Sequence, residues 1–492
     1  MALQSIRQRT LQVTQQADSR QGRLRGSARD IKPARIAVAS VIGIAIWFLP
    51  VPIGLSLEAW RLFAIFFTTI LLVLIQAMPI FPASVLGMVA ALFTGVLRPD
   101  QAYAGFSKDF ILLIVAAFLV ARAVIKSGLG RRIAFHVIRR LGRSTLGLGY
   151  SVMITDAVIA PAFPSNTARS GVLFPIVQAI CLGSGSSPND GTEKKVGSYL
   201  MIIGMASLTV SSALWLTAMA VNPVGATIAQ EAGVEIGFAS WFLAAVVPSL
   251  SALAMLPLIL LKVVDPETKH TPEAPAAAAA ELEKMGPMSR REWLTAGVFA
   301  FMIAGWALSE VLAVDKAGIA FLGLAILMVG RVYTMADLKT EGEALSIWVW
   351  FGILFTLSSS LNEFGFMTWL GGKVASQLQG LAPTLVYVCL IVVYVLLHYL
   401  FVSQTAHLLA LFSVFLSVGI TSGVDPALMA LMLLFATNFF AAITPQGSSA
   451  NVLFVGSGYL TTTELYKYGA VITLANLLIY LIIGTPWILL VS

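Results

Sequence analysis

Two short polar runs stand inside long apolar stretches of this 492-residue chain: Ser165-Asn166-Thr167 and Ser403-Gln404-Thr405. Four residues after each serine comes a side chain able to carry positive charge, Arg169 in the first run and His407 in the second. Hydroxyls and amides donate to carboxylate oxygens, or turn their own oxygens toward a cation, so an anion is one ligand and sodium near Ser165 and Asn166 another. Pro161 and Pro164 end the apolar helix that enters the first run, because each lacks an N–H and restricts the residue before it. Ser165 or Asn166 then caps the outgoing helix, whose free N–H groups and positive dipole end point at the tip. An arginine at membrane depth is costly unless it faces a cavity or a partner, and both a bound anion and Asp156 meet that need for Arg169. His407 is either protonated or neutral according to its surroundings. His398 stands nine residues before His407, as Asp156 stands nine before Ser165, so the second run has two histidines where the first has Asp and Arg.

Two further apolar segments are interrupted in the same manner. One holds Thr217, Asn222 and Pro223; the other holds Thr444, Pro445, Ser448 and Ser449. The stretch from Thr444 to Ser449 is expected to unwind, exposing carbonyls and hydroxyls as a wall of the site. The candidate site is therefore Ser165, Asn166, Thr167, Arg169, Thr217, Asn222, Ser403, Gln404, Thr405, His407, Thr444, Ser448 and Ser449.

The elements that must position these residues are membrane helices. Hydrophobic residues make up 58% of the chain and charged residues 11%, where soluble chains carry about 25%. Apolar runs at 36–54, 58–77, 81–97, 109–126, 196–221, 239–262, 293–311, 317–332, 344–361, 426–458 and 464–490 read as about 11 spans of an all-α polytopic membrane protein. The stretches 145–183 and 382–420, each broken near its centre by a polar run, read as helical hairpins that enter and leave on one side. Such breaks are tolerated only in protein or beside a water-filled cavity.

Charge sets the orientation. Residues 1–35 form a basic tail, which is either a cytoplasmic anchor or, less simply, an organellar transit peptide. With the tail inside, 127–143 returns to the inside carrying five arginines, and the first hairpin rises from there. The segment 263–292, rich in Pro, Ala, Glu and Lys, is a cytoplasmic linker between a first repeat at 36–262 and a second at 293–492. The segment 363–381, with Lys373 alone, falls outside, so the second hairpin enters from the opposite face. Eleven spans leave the C-terminus outside. Paired interrupted hairpins of opposite sense are the signature of an inverted-repeat transporter with its site at the midplane.

Other classes fit poorly. The alternating segments of a membrane barrel are missing. The chain has no metalloprotease or nucleophile motif, which leaves an intramembrane enzyme unsupported, and an inverted repeat favours alternating access over a channel. The net charge of +7 lies beside apolar segments as topology signals, not as a nucleic-acid surface. Cys181 and Cys389 stand in apolar contexts as packing residues. No cofactor is expected.

The residues Pro164-Ser165-Asn166-Thr167-Ala168-Arg169-Ser170-Gly171, Leu216 to Pro223, His398-Tyr399, Ser403 to His407 and Gly128-Leu129-Gly130-Arg131-Arg132 together resemble the divalent anion:sodium symporter superfamily over 36–492. The likeness is greatest to its dicarboxylate and tricarboxylate exchangers, such as citrate/succinate and 2-oxoglutarate/malate translocators. The resemblance implies a dimeric scaffold and a moving transport domain that carries both hairpins. It implies substrate carboxylates held by Ser165, Asn166, Thr167, Ser403 and Thr405. Sodium-coupled members have asparagine where this chain has Gln404, which suits an exchanger of malate, succinate, 2-oxoglutarate, citrate or tartrate over a sodium symporter. A bacterial inner membrane is the expected location, with an organellar inner membrane as the alternative. Arg169 and His407 are expected to supply fixed positive charge in place of sodium, making return of the empty carrier unfavourable.

Overall fold

A computed structural model describes residues 31–492; residues 1–30 of the basic tail expected at 1–35 lie outside them. The described residues form helices and turns, with one isolated bridge between Ser144 and His270. Among the described residues, nine helices are long and apolar enough to cross a membrane, and four shorter apolar helices accompany them.

An opening helix, α1 (Pro33–Phe48), precedes two runs of matching elements. The first run is α2 (Leu57–Leu74), α3 (Ile80–Phe93), α4 (Asp109–Ser127), α5 (Leu129–Leu141), the hairpin of α6 (Thr145–Ile159) and α7 (Asn166–Gly183), α8 (Gly197–Leu214), α9 (Val221–Glu231) and α10 (Phe238–Val264). After α11 (Ala274–Met285) the second run follows: α12 (Arg290–Leu308), α13 (Lys316–Val329), α14 (Gly342–Glu363), α15 (Phe366–Gln377), the hairpin of α16 (Pro383–Leu397) and α17 (Gln404–Thr421), α18 (Pro426–Phe439), the short turn Asn451–Val455, and α19 (Thr462–Val491). The stretch expected as one span at 426–458 is thus broken: it leaves α18, unwinds through 443–450 and restarts at Asn451.

Local chemistry repeats with the elements. Gly128 and Gly365 take φ of 82° and 80° at the ends of α4 and α14, the left-handed corner that a Cβ would strain. Each corner turns the chain into a surface helix, α5 or α15. At the hairpin tips Ser165 and Ser403 share φ near −146° and −147°, and each accepts a hydrogen bond from the backbone N–H three residues on. The turns before them, Ala160–Ala162 and His398–Leu400, are alike although only the first contains proline.

The helices sort into two packed groups. α1 to α4 pack with α12, α13 and α14 as a frame; the two hairpins pack around α8, α10, α18 and α19 as a bundle. α8 lies at the centre of the bundle, every residue of it buried. Within the segment expected as a linker at 263–292, residues Ala274–Met285 form α11, which lays Ala278 and Leu282 into the same apolar cluster as Ala134, Phe135 and Ile138 of α5.

Candidate functional site

Both hairpin tips converge at the middle of the bundle, where α8 and α18 end. Asn166 Nδ2 donates to Gln404 Oε1 at 3.5 Å, joining the second residues of the two polar runs. Gln404 in turn donates to the Thr437 carbonyl at 2.8 Å. The Thr167 and Ser449 hydroxyls meet at 2.7 Å on the open side, linking the first hairpin to the unwound stretch after α18. Ala220 N–H donates to the Pro164 carbonyl at 2.8 Å, seating the first tip on the α8–α9 break. The N-termini of α7 and α17 thus end side by side at a surface of hydroxyls, a place suited to an anion.

Not every expected residue faces that surface. Asn166 Oδ1 accepts from Arg169 and from Ser212 Oγ, which turns its amide into the protein. Thr217 donates to the Pro161 carbonyl at 3.0 Å. Asn222, fully buried, donates to the Ser212 and Trp215 carbonyls and accepts from Asn438. These three hold the breaks in shape. Ser165, Thr167, Ser403 and Ser449 remain partly or wholly open to solvent. Thr405 and Ser448 are buried beneath them. The Thr444 hydroxyl is buried without a partner among the described residues.

Arg169 is fully buried, and of the two partners left open for it the structure supplies Asp156, with Nε 3.8 Å from Oδ1. Its other nitrogens donate to Ser211 Oγ at 3.0 Å and Ser212 Oγ at 2.6 Å, and Ser211 donates to Asp156. The charge of the guanidinium is therefore balanced inside the hairpin bundle, and it does not stand as a free cation at the open surface. Ser211 and Ser212 were not among the expected residues; two adjacent serines one turn before the break at Trp215 are the signal that marks them.

The parallel drawn between His398 and Asp156 is corrected by the backbone. Counted from the capping serines, the place of Asp156 in the second hairpin belongs to Tyr394, whereas His398 lies in the tip turn. Asn451 donates to Ala441 and Thr444 carbonyls as Asn222 does to Ser212 and Trp215, so Phe440 holds the place of Ser211. The polar triad of Asp156, Ser211 and Arg169 thus becomes Tyr394, Phe440 and His407, packed with ring centroids 4.4 and 4.6 Å from His407. His407 Nδ1 meets His398 Nδ1 at 3.3 Å, and His398 Nε2 meets the Gly447 carbonyl at 2.9 Å. His407 Nε2 is buried without a partner among the described residues.

A helical membrane protein with paired broken helices meeting at one polar surface is a secondary transporter in architecture. The model of the sodium:sulfate symporter transmembrane region matches residues 32–492, and the chain belongs to this family. Among its relatives, a Bacillus subtilis (strain 168) protein provisionally named malate transporter YflS is 38% identical over 94% of this chain and 96% of its own. The Spinacia oleracea dicarboxylate transporter 1, chloroplastic, is 37% identical over 93% of this chain and 81% of its own. The L-tartrate/succinate antiporter of Escherichia coli (strain K12) is 31% identical over 92% of this chain and 96% of its own. In fold, the chain is similar to the Alcanivorax borkumensis YdaH transporter, with a TM-score of 0.55 at 14% identity over 80% of this chain and 90% of that one. The Neisseria gonorrhoeae MtrF structure matches with the same score and identity over 92% and 97%.

Proposed function

We propose that this protein exchanges small dicarboxylates across a membrane by alternating access. The observation that carries the reading is the convergence of two serine-capped helix N-termini at the joined hydroxyls of Thr167 and Ser449. Ser165, Thr167, Ser403 and Ser449 donate to one or both carboxylates, and the Thr444 hydroxyl is a further donor in reserve behind them. Asn166 and Gln404 lock the tips together, and Gln404 leaves no short asparagine amide there for sodium. The names of the relatives, a tartrate/succinate antiporter among them, support a dicarboxylate cargo and exchange.

The remaining assignments belong to the same reading. The two hairpins enter from opposite faces as re-entrant elements, and the division into repeats at 36–262 and 293–492 follows the matched helices. The N-terminus lies in the cytoplasm of a bacterium, with the organellar membrane as the alternative, and two copies associate through their frames. Because Asp156 balances Arg169, the bar to an empty return stroke rests on the dipole ends and hydroxyls left without an anion, not on a free arginine.

Labelled succinate uptake into proteoliposomes tests the proposal. Uptake is expected to require internal dicarboxylate and to be indifferent to sodium. Uptake into empty vesicles driven by a sodium gradient would identify a symporter and overturn exchange.

A further inference from the structure

The bundle and the frame meet chiefly through apolar side chains. Val221, Val224 and Ile228 of α9 and Leu408, Leu409 and Phe412 of α17 share one cluster with Leu119 of α4 and Phe351 and Phe355 of α14. Apolar contact is non-directional, so such surfaces slide past one another with little preference for one register. Outside the surface helices α5 and α15, and leaving Glu343 aside, the side-chain hydrogen bonds that cross between frame and bundle among the described residues come from Ser358, Ser359 and Asn362 of α14, and no ion pair crosses there. Two of them start from adjacent serines. Ser358 Oγ donates to the Leu409 carbonyl of α17 at 3.3 Å. Ser359 Oγ donates to Glu231 Oε1, at the end of α9, at 2.7 Å.

We propose that Ser358, Ser359 and Glu231 form a catch that sets the resting position of the site-bearing bundle against the frame. The inference rests on the alternating-access reading, and it assigns to these residues a positioning role in the transport step. Glu231 ends the helix that carries Asn222 in its first turn at the α8–α9 break, so a pull at Glu231 is transmitted along α9 to the site. Ser358 reaches the outgoing arm of the second hairpin, four residues past Thr405. The catch therefore holds both halves of the site at once. Lys108 of the frame attracts the Glu231 carboxylate and Glu363 repels it, while Asn362 adds a hydrogen bond. A bond of this kind between neutral and charged groups biases a two-state equilibrium by roughly tenfold. That is enough to define a resting state and small enough for substrate binding to overcome.

The test uses the full-length protein in liposomes, with Cys181 and Cys389 replaced by alanine and spin labels at Ser107→Cys on the frame and Ala232→Cys beside the end of α9. Glu231→Ala, and separately Ser358→Ala with Ser359→Ala, are each expected to move the ratio of short to long label distances about tenfold toward the other state. Glu231→Gln keeps an acceptor for Ser359 and is expected to restore most of the original ratio. Thermal midpoints are expected to stay near the parent's, since Glu231 ends its helix at the solvent rim. Unchanged distance distributions in both variants, or a Glu231→Gln protein indistinguishable from Glu231→Ala, would overturn the catch. A labelled protein that exchanges no dicarboxylate yet shows the shift supports the catch and removes the proposed substrate instead.

Discussion

A guanidinium at membrane depth keeps its charge only beside a counter-charge or water. At Arg169 that need is met by Asp156 at 3.8 Å and by the Ser211 and Ser212 hydroxyls. Removing one member of a buried pair leaves an uncompensated charge and costs about 3–5 kcal/mol, whereas neutralising both is far milder. Asp156→Ala is therefore expected to lower the thermal midpoint sharply in detergent. Asp156→Asn combined with Arg169→Gln should recover most of the loss. A double variant as unstable as the two single losses added would show that the residues are not coupled. His407 fills the same place in the second hairpin without any carboxylate, because Tyr394 and Phe440 occupy the positions of Asp156 and Ser211.

At the scale of elements, the helix caps and the surface helices carry separate loads. Ser165 and Ser403 each satisfy an N–H at the start of a helix that also faces the proposed ligand. Ser→Ala at either place costs about 1 kcal/mol of stability through the cap. Ser165→Asn and Ser165→Asp both restore a capping oxygen. Only the aspartate adds negative charge where an anion would sit, so Ser165→Asp is expected to be stable and to lose at least tenfold in exchange at low substrate, read by counterflow. Equal exchange by the two capped variants would argue against anion binding there.

The surface helices are anchored crosswise. Arg132 of α5 grips Glu292 in the first turn of α12 with Nε–Oε1 at 2.5 Å, and also donates to the Gly286 carbonyl at 2.8 Å. Phe366 of α15 stacks on Phe63 of α2 at 4.4 Å, and Trp369 donates to the Ile53 carbonyl. Each surface helix thus leans on the first long helix of the other run, one through a buried ion pair and one through aromatic rings. Arg132→Ala leaves Glu292 buried and unpaired and is expected to destabilise by about 3 kcal/mol or more. Arg132→Ala with Glu292→Gln should be milder, by thermal unfolding.

For the whole molecule, the two halves are tied where α4 ends. Lys126 Nζ lies 2.7 Å from Asp337, and Arg122 Nε lies 3.2 Å from Glu341. The Lys126 ammonium and then Thr334 draw the Asp337 carboxyl down to about 2. A depressed carboxyl contributes its stability fully above the unfolded value of about 3.9 and loses it as pH falls from there through the folded value. The difference in thermal midpoint between the parent and Asp337→Asn should therefore be flat from about pH 5 to 8 and shrink below about 4. A difference that changes between those neutral values would mean another group controls the tie. Orientation is tested separately. A membrane-impermeant maleimide is expected to label Arg140→Cys only from the inside and Lys373→Cys only from the outside, since both side chains are exposed. Labelling of both from one face would remove the inverted repeat.

The helical membrane class, the two matched runs and the places of the breaks are written in local chemistry. Apolar length makes spans. Gly128 and Gly365 make corners, and Ser165 and Ser403 make caps. A phenylalanine two residues before each serine, Phe163 and Phe401, is shared by the tips where proline is not, and both are buried. These features depend on neighbours within a few residues, so a sequence displays them. Which polar atoms face a ligand and which face the protein depends on partners far along the chain. Ser212 lies 46 residues from Asn166, and Asn438 lies 216 from Asn222. Residue type, position in an interrupted helix and, for Asn166, family resemblance cast Asn166, Thr217 and Asn222 as ligand groups, and spacing matched His398 to Asp156. Only tertiary packing, by bringing α8 and α18 against both tips, turned those side chains inward, gave Asp156 to Arg169 and left the hydroxyls of Ser165, Thr167, Ser403 and Ser449 at the surface.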